Sequence, residues 1–251
     1  MRVLPPAVLA PWVHHLWFVR WTLTTPRRAE ALPYPAAQVV FEELDGVQRS
    51  EISGPRTERL TRTLTGQGTV FGITFRPGAF APLFKGVMKR LTNRVVPLRT
   101  VFGDRSAEWA EATFAAPEPE QRIALASAFL EKVIPALPIE VRRVRDLVER
   151  MATDRSLVRV EDVCHASGRD LRTLQRDFRR FVGVSPKWVI QRFRLIEAVE
   201  QLKAPDRPSL GALAAALGYA DQSHFARDFK RVVGETPRNF IERRCLVVPE
   251  S

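Results

Sequence analysis

Arg176-Asp177-Phe178-Arg179-Arg180-Phe181-Val182-Gly183-Val184-Ser185-Pro186 returns 51 residues later as Arg227-Asp228-Phe229-Lys230-Arg231-Val232-Val233-Gly234-Glu235-Thr236-Pro237. The likeness extends upstream, where Val163-Cys164 and Gly168 precede the first copy and Leu213-Ala214 and Gly218 precede the second. A repeat of this length is one supersecondary unit used twice.

Each copy reads as helix, tight turn, helix. Val160, Val163, Cys164 and Ser167 fall at i, i+3, i+4 and i+7, and Leu210, Leu213, Ala214 and Leu217 do the same, giving one apolar stripe on each short helix. Gly168 and Gly218 are placed to end these helices, because glycine adopts the left-handed cap conformation without a Cβ clash. Asp170 and Asp221 then cap longer helices by accepting free backbone N–H bonds. The spacing predicts that the second helix of unit one buries Leu171, Leu174, Phe178 and Phe181, and turns Arg172, Gln175, Arg176 and Arg179 outward. Unit two is expected to bury Phe225, Phe229 and Val232, and to present Ser223, Ala226, Arg227 and Lys230. Gly183 and Gly234 stop these helices. Ser185-Pro186 and Thr236-Pro237 start the next ones with a hydroxyl cap and a proline in the first helical position.

Two helices joined by a short glycine-bearing turn form a helix-turn-helix, whose second helix fits the major groove of DNA. Plain helical hairpins in a bundle would share the apolar stripes. They would not explain matched copies that each carry cationic and amide side chains outside.

From about Glu140 to Arg244 the chain resembles the DNA-binding domain of the AraC/XylS family of bacterial transcription regulators. The resemblance rests on Leu174-Gln175-Arg176-Asp177-Phe178, Gly183-Val184-Ser185-Pro186, Arg194-Leu195 with Ala198, Leu217 to Phe225, and Phe229 to Pro237. It implies an all-α domain of two homeodomain-like helix-turn-helix subdomains. One long helix, Pro186 to about Leu202, would join them, with Val189, Phe193, Ile196, Val199 and Leu202 as its buried stripe. Base reading is carried over to Arg172, Gln175 and Arg176 in the first unit and to Gln222, Ser223, His224 and Arg227 in the second. Ala226 stands where Gln175 stands in the first, so the first helix is expected to discriminate more. Arg179, with Arg180, Lys187, Lys230, Arg231 and Arg238, is expected at phosphates or in solvent. Arg194, beside core positions, reads as structural. The implied partners are double-stranded promoter DNA and RNA polymerase, with a small-molecule effector and a homodimer as functions of the N-terminal part.

That part, 1–115, is expected to be an α+β domain built on a curved antiparallel sheet. Gln38 to Leu44 and Val47 to Ile52 flank Asp45-Gly46 as a hairpin; Thr69 to Phe75 is a strand halted by Arg76-Pro77-Gly78. Ala79 to Phe84 and Ser106 to Phe114 read as short helices. Pro6, Leu9-Ala10, Val13 and Trp17, with Phe75 to Phe80, resemble the N-terminal domain of a group of AraC-type regulators without a well-characterised ligand. Trp12, Trp17, Trp21, Phe41, Phe71 and Phe75 are candidates for an apolar pocket or for ordinary core. His14 and His15, as neighbours in a regular element, should point apart. Arg76 reads as an arginine in an exposed turn. A linker with a helix from about Gln121 to Ile134 spans 116–138, the DNA-binding domain 139–246, and a tail 247–251.

The chain has 251 residues, with 39 Lys+Arg against 28 Asp+Glu, a net charge of +11 suited to a polyanionic partner. The charge does not locate the site. From Glu140 onward stand 22 basic and 16 acidic side chains, and before it 17 and 12. No apolar run approaches the length of a membrane span, about 20 residues, so the chain is expected to be cytoplasmic. Two cysteines without metal-ligand spacing give no disulfide, metal or cofactor expectation, and Cys164 reads as core. An enzyme fused to a DNA-reading module is the competing class. Alkyl-transfer repair chemistry, however, needs a nucleophilic cysteine that the N-terminal part lacks. A nonspecific architectural DNA protein is the other alternative.

Overall fold

The computed structural model describes residues 1–245, with side chains to Glu242; the expected tail, 247–251, lies outside them. Six strands open the chain: β1 (Arg2–Val3), β2 (Val13–Ala31), β3 (Gln38–Leu44), β4 (Val47–Ser53), β5 (Leu60–Phe75) and β6 (Val95–Pro97). They form one antiparallel sheet in the order β1-β2-β5-β3-β4-β6. The hairpin turn lies where the sequence puts it. Asp45 (φ 47°) and Gly46 (φ 81°) both have positive φ, as a two-residue turn matched to strand twist requires.

The helices are α1 (Ala81–Phe84), which precedes β6, and then α2 (Arg99–Phe102), α3 (Arg105–Ala115), α4 (Pro119–Val133), α5 (Ile139–Thr153), α6 (Val160–Ser167), α7 (Leu171–Asp177), α8 (Pro186–Lys203), α9 (Leu210–Ala216), α10 (Gln222–Val233) and α11 (Pro237–Cys245). A 3-10 turn, Met88–Arg90, lies between α1 and β6, and a π-helical turn, Phe178–Val182, extends α7.

Alternation along the strands sends Val39, Phe41, Phe71, Ile73 and Phe75 to one face, where all are fully buried. Phe41 meets the edge of Trp109 at 4.9 Å, and Trp109 stacks on Phe129 at 4.0 Å, so α3 and α4 cover this face. The buried cluster continues through Val141, Val144 and Val148 of α5 into Leu174, Phe178, Val189 and Phe193. The sheet domain and the first helix-turn-helix thus share one core. Leu195 to Phe240 form a second cluster around α9 and α10. The apolar faces of α8 serve both.

Several expectations need correction. β2 is not legible in the sequence, and β5 begins nine residues before Thr69. Leu171 is 48% exposed, because it is the first residue of its helix and the buried stripe begins one turn later, at Leu174. Val232 is half-buried while Val233 takes the inward place, and Ile196 is also only half-buried. His14 and His15 do not diverge. A register shift between Val13 and His15 brings their Nδ1 atoms within 2.8 Å. Arg76 is no solvated turn residue: its Nε donates to Ala10 O at 2.5 Å, and its guanidinium pairs with Glu149 of α5.

Candidate DNA-binding site

Local chemistry sets the two helices expected to read DNA in the same way. The Asp170 carboxylate accepts from Thr173 N at 2.9 Å, and that of Asp221 from His224 N at 2.7 Å, each satisfying a free N–H at the helix start. Gly183 and Gly234 close both helices at φ 91°. Ser185 Oγ and Thr236 Oγ1 then accept from Trp188 N and Asn239 N, both at 3.2 Å, to open α8 and α11.

Between cap and glycine, Arg172, Gln175 and Arg176 project from α7 and Arg179 from the π-helical turn, all exposed. Gln222, Ser223, His224 and Arg227 are exposed on α10. Arg172, Arg179 and Arg227 make no ion pair with the described residues. Arg176 only approaches Asp177, at 3.9 Å, and His224 only approaches Asp228, at 4.0 Å. The buried halves of both helices hold them in place: Leu174 and Phe178 in the first, Phe225 and Phe229 in the second. Arg180, Lys187, Lys230, Arg231 and Arg238 are also exposed. Arg180 lies over the Phe181 ring at 5.0 Å, and Arg231 pairs with Asp228 at 2.9 Å.

Arg194 lies inside. Its guanidinium donates to Val158 O and sits 5.9 Å from the Tyr219 ring, tying α8 to both units. Burial pushes the Arg194 guanidinium down and the Tyr219 hydroxyl up to about 12. Cys164 is half-buried against the core, where the second unit has the buried Ala214.

The other face of the sheet holds a cavity of about 520 Å³. Trp17 and Trp21 line it, whereas Trp12, Phe41, Phe71 and Phe75 are core. Both indoles stand over glycines of β5. A Cβ on Gly72 would fall 2.1 Å from the Trp17 ring, and one on Gly68 2.4 Å from that of Trp21. Glu42, 5% exposed, binds Arg62 through both oxygens, one contact at 3.0 Å. Thr74, 1% exposed, also lines the cavity, and its Oγ1 has no hydrogen-bond partner among the described residues. His15 is held down at about 4, chiefly by burial, then by Arg2 and His14. Burial also pushes up the hydroxyl of Tyr34, another wall residue.

Residues 163–243 match the family described as "Helix-turn-helix domain", and residues 1–97 a "Domain of unknown function (DUF6597)". The HTH-type transcriptional activator RhaS of Pectobacterium carotovorum is 33% identical over 69 residues, 28% of this chain and 24% of that protein. RhaS of Escherichia fergusonii is 35% identical over 74 residues, 30% and 26% of the two chains. The C-terminal segment, residues 163–243, is a helix-turn-helix domain similar to part of these transcriptional activators. This chain spans about a quarter of the length of the curated relatives it matches. Among solved structures, ToxT from Vibrio cholerae O395 is 16% identical, covering 90% of this chain and 96% of its own, with a TM-score of 0.42. An AraC-type regulator from Chromobacterium violaceum is 22% identical, covering 41% and 91%, with a TM-score of 0.37.

Within this helix-turn-helix domain the two units differ in one respect that the repeat conceals. The first reading helix widens at its end, where Gly183 N bonds Phe178 O at 2.8 Å, five residues back. In the second, Gly234 N bonds Lys230 O at 2.8 Å, four residues back. Arg179 therefore stands on a π-helical turn, whereas its counterpart Lys230 stands on an α-helix. Sequence reasoning also passed over Tyr34, Glu42, Arg62 and Thr74 of the cavity. The available signal was the run of glycines at 66, 68 and 72 within a strand, which marks close approach by another group.

Proposed function

We propose that the protein is a sequence-specific transcription regulator that reads promoter DNA with α7 and α10. The supporting observation is the pair of repeat-related helices, each capped alike and packed on aromatic residues, with eight exposed polar or basic side chains between them. Arg172 and Arg176 suit bidentate contacts to guanine, and Gln175 suits adenine. One turn of DNA advances about 34 Å, so a single chain reads two asymmetric blocks about 10 base pairs apart. The stretch 139–246 serves as the reading domain, 116–138 as the linker, and 1–115 as the sensing and association domain. Similarity to proteins named transcriptional activators supports a role in transcription, with RNA polymerase as the further partner.

The cavity of the sheet domain is the seat of a small-molecule effector. Its volume falls within the range of about 300–1,000 Å³ usual for ligand pockets, and it combines aromatic walls with a few buried polar groups.

Selection of bound duplexes from a random DNA pool at fixed salt tests the reading. Enrichment of two distinct blocks one helical turn apart is expected. Binding of every sequence alike, governed by salt alone, would instead mark a nonspecific architectural protein.

A further inference from the structure

Both reading helices end on a glycine that the sheet domain touches. At the first, Thr92 Oγ1 donates to Gly183 O at 2.7 Å, and a Cβ on Gly183 would fall 2.9 Å from that hydroxyl. At the second, Arg59 Nη1 donates to Val233 O at 2.7 Å, and a Cβ on Gly234 would fall 2.3 Å from the guanidinium carbon. Gly183 and Gly234 are the same position of the repeat. One domain therefore holds both units at the C-terminal ends of the helices proposed to read DNA, through carbonyls one residue apart in repeat register.

The two grips differ in kind. Thr92 is buried, within the continuous core that joins the sheet domain to the first unit. Arg59 is a quarter exposed and reaches across to a unit with its own core. Its Nη1 also meets Glu30 Oε2 at 2.9 Å, so the cation lies between a carboxylate and a helix C-terminus, where the backbone carbonyls favour positive charge. Two lesser contacts lie beside it. Leu32 packs against the second cluster, and Arg192 Nη2 reaches Thr57 O at 3.4 Å.

We propose that Arg59 is a positioning residue for DNA reading, and that it fixes where the second reading helix stands relative to the first. This rests on the proposed DNA-reading function. The connecting helix α8 sets the distance between the units; the Arg59 bridge removes the remaining freedom of the second unit to swing about it. The protein then accepts one separation of the two DNA blocks and rejects its neighbours. Glu30 and Leu32 also form part of the cavity wall, so the same bridge adjoins the effector seat.

The test uses the full chain and the two-block duplex recovered by selection, with derivatives carrying one or two base pairs added or removed between the blocks. Wild type is expected to bind the original spacing well above the altered ones. Arg59→Ala is expected to flatten that preference by about tenfold, the worth of one charge-assisted hydrogen bond, while keeping the same preferred bases within each block. Arg59→Lys should restore part of the preference, and Glu30→Gln, which leaves Arg59 in place, should flatten it less. Circular dichroism and thermal melting establish that each variant is folded. A folded Arg59→Ala protein with the wild-type spacing profile overturns the proposal and leaves the DNA-reading function standing. Absence of any sequence preference in wild type overturns both.

Discussion

The indole of Trp17 fills the space that a side chain on its cross-strand partner Gly72 would need. A Cβ at Gly72 would meet Cε2, Cζ2 and Nε1 of that ring at 2.1–2.5 Å, and the ring is large and rigid. Gly72→Ala should therefore push Trp17 into the cavity and cost about 1–3 kcal/mol, in the range of overpacked sites. Urea unfolding with near-UV circular dichroism measures both effects. Unchanged stability with an unchanged aromatic signal would mean the indole does not rest there.

His15 makes stability depend on pH. In the folded protein its imidazole is held neutral down to about 4, by burial first and then by Arg2 and His14; unfolded, it titrates near 6.5. Above 6.5 both states are neutral and there is no penalty. As pH falls from 6.5 towards 4 the unfolded chain takes up a proton that the fold refuses, so stability declines across that window. His15→Gln should make the decline shallower. Urea midpoints for both proteins at about pH 7.5 and about pH 5 decide it, and parallel slopes would remove His15 from the account.

Arg176 and Lys230 should fail in different ways. Arg176→Ala is expected to cost about 1–3 kcal/mol at one base position and to relax the choice there. Lys230→Ala should weaken every sequence alike and reduce the slope of log affinity against log salt by about 1. Titrations of the selected and scrambled duplexes at several salt concentrations separate them. Equal loss for Arg176→Ala on both duplexes would assign that residue to the backbone.

Arg192 is an uncomfortable core residue. It is 3% exposed, its Nε and Nη1 have no hydrogen-bond partner among the described residues, and burial pushes its guanidinium down to about 10. Its compensation is the Trp188 ring at 4.7 Å and a long bond to Thr57 O. Arg192→Met should leave stability unchanged or raise it by about 1 kcal/mol, because an apolar chain of similar length escapes the desolvation cost. A loss of about 2 kcal/mol or more in chemical denaturation would show that the ring contact outweighs that cost.

The helix-turn-helix half was legible because its signals are local and doubled. Asp170 and Asp221 cap, Gly183 and Gly234 terminate, and each is checked by its copy 51 residues away. Leu171 misled because periodicity alone does not say where the first packed turn begins. The long strand β2 escaped notice because two register shifts, at Val13/His15 and Leu23/Arg27, break its alternation, and Pro26-Arg27-Arg28 reads as a stop. The cavity was only half visible. Trp17 and Trp21 could be picked out, but whether an aromatic residue faces the core or the cavity depends on strand register. Register is set by partners distant in sequence, here Gly72 and Gly68.

The π-helical turn at Phe178–Val182 and the alanine at position 226 make the repeated units unequal. A binder built from identical halves related by a two-fold axis could lie on its operator in either orientation. On the proposed DNA-reading function this one has a head and a tail, so its operator would carry an arrow. Inverting such a site within a promoter would turn the sheet domain, with whatever it senses or touches, to face the opposite direction along the DNA.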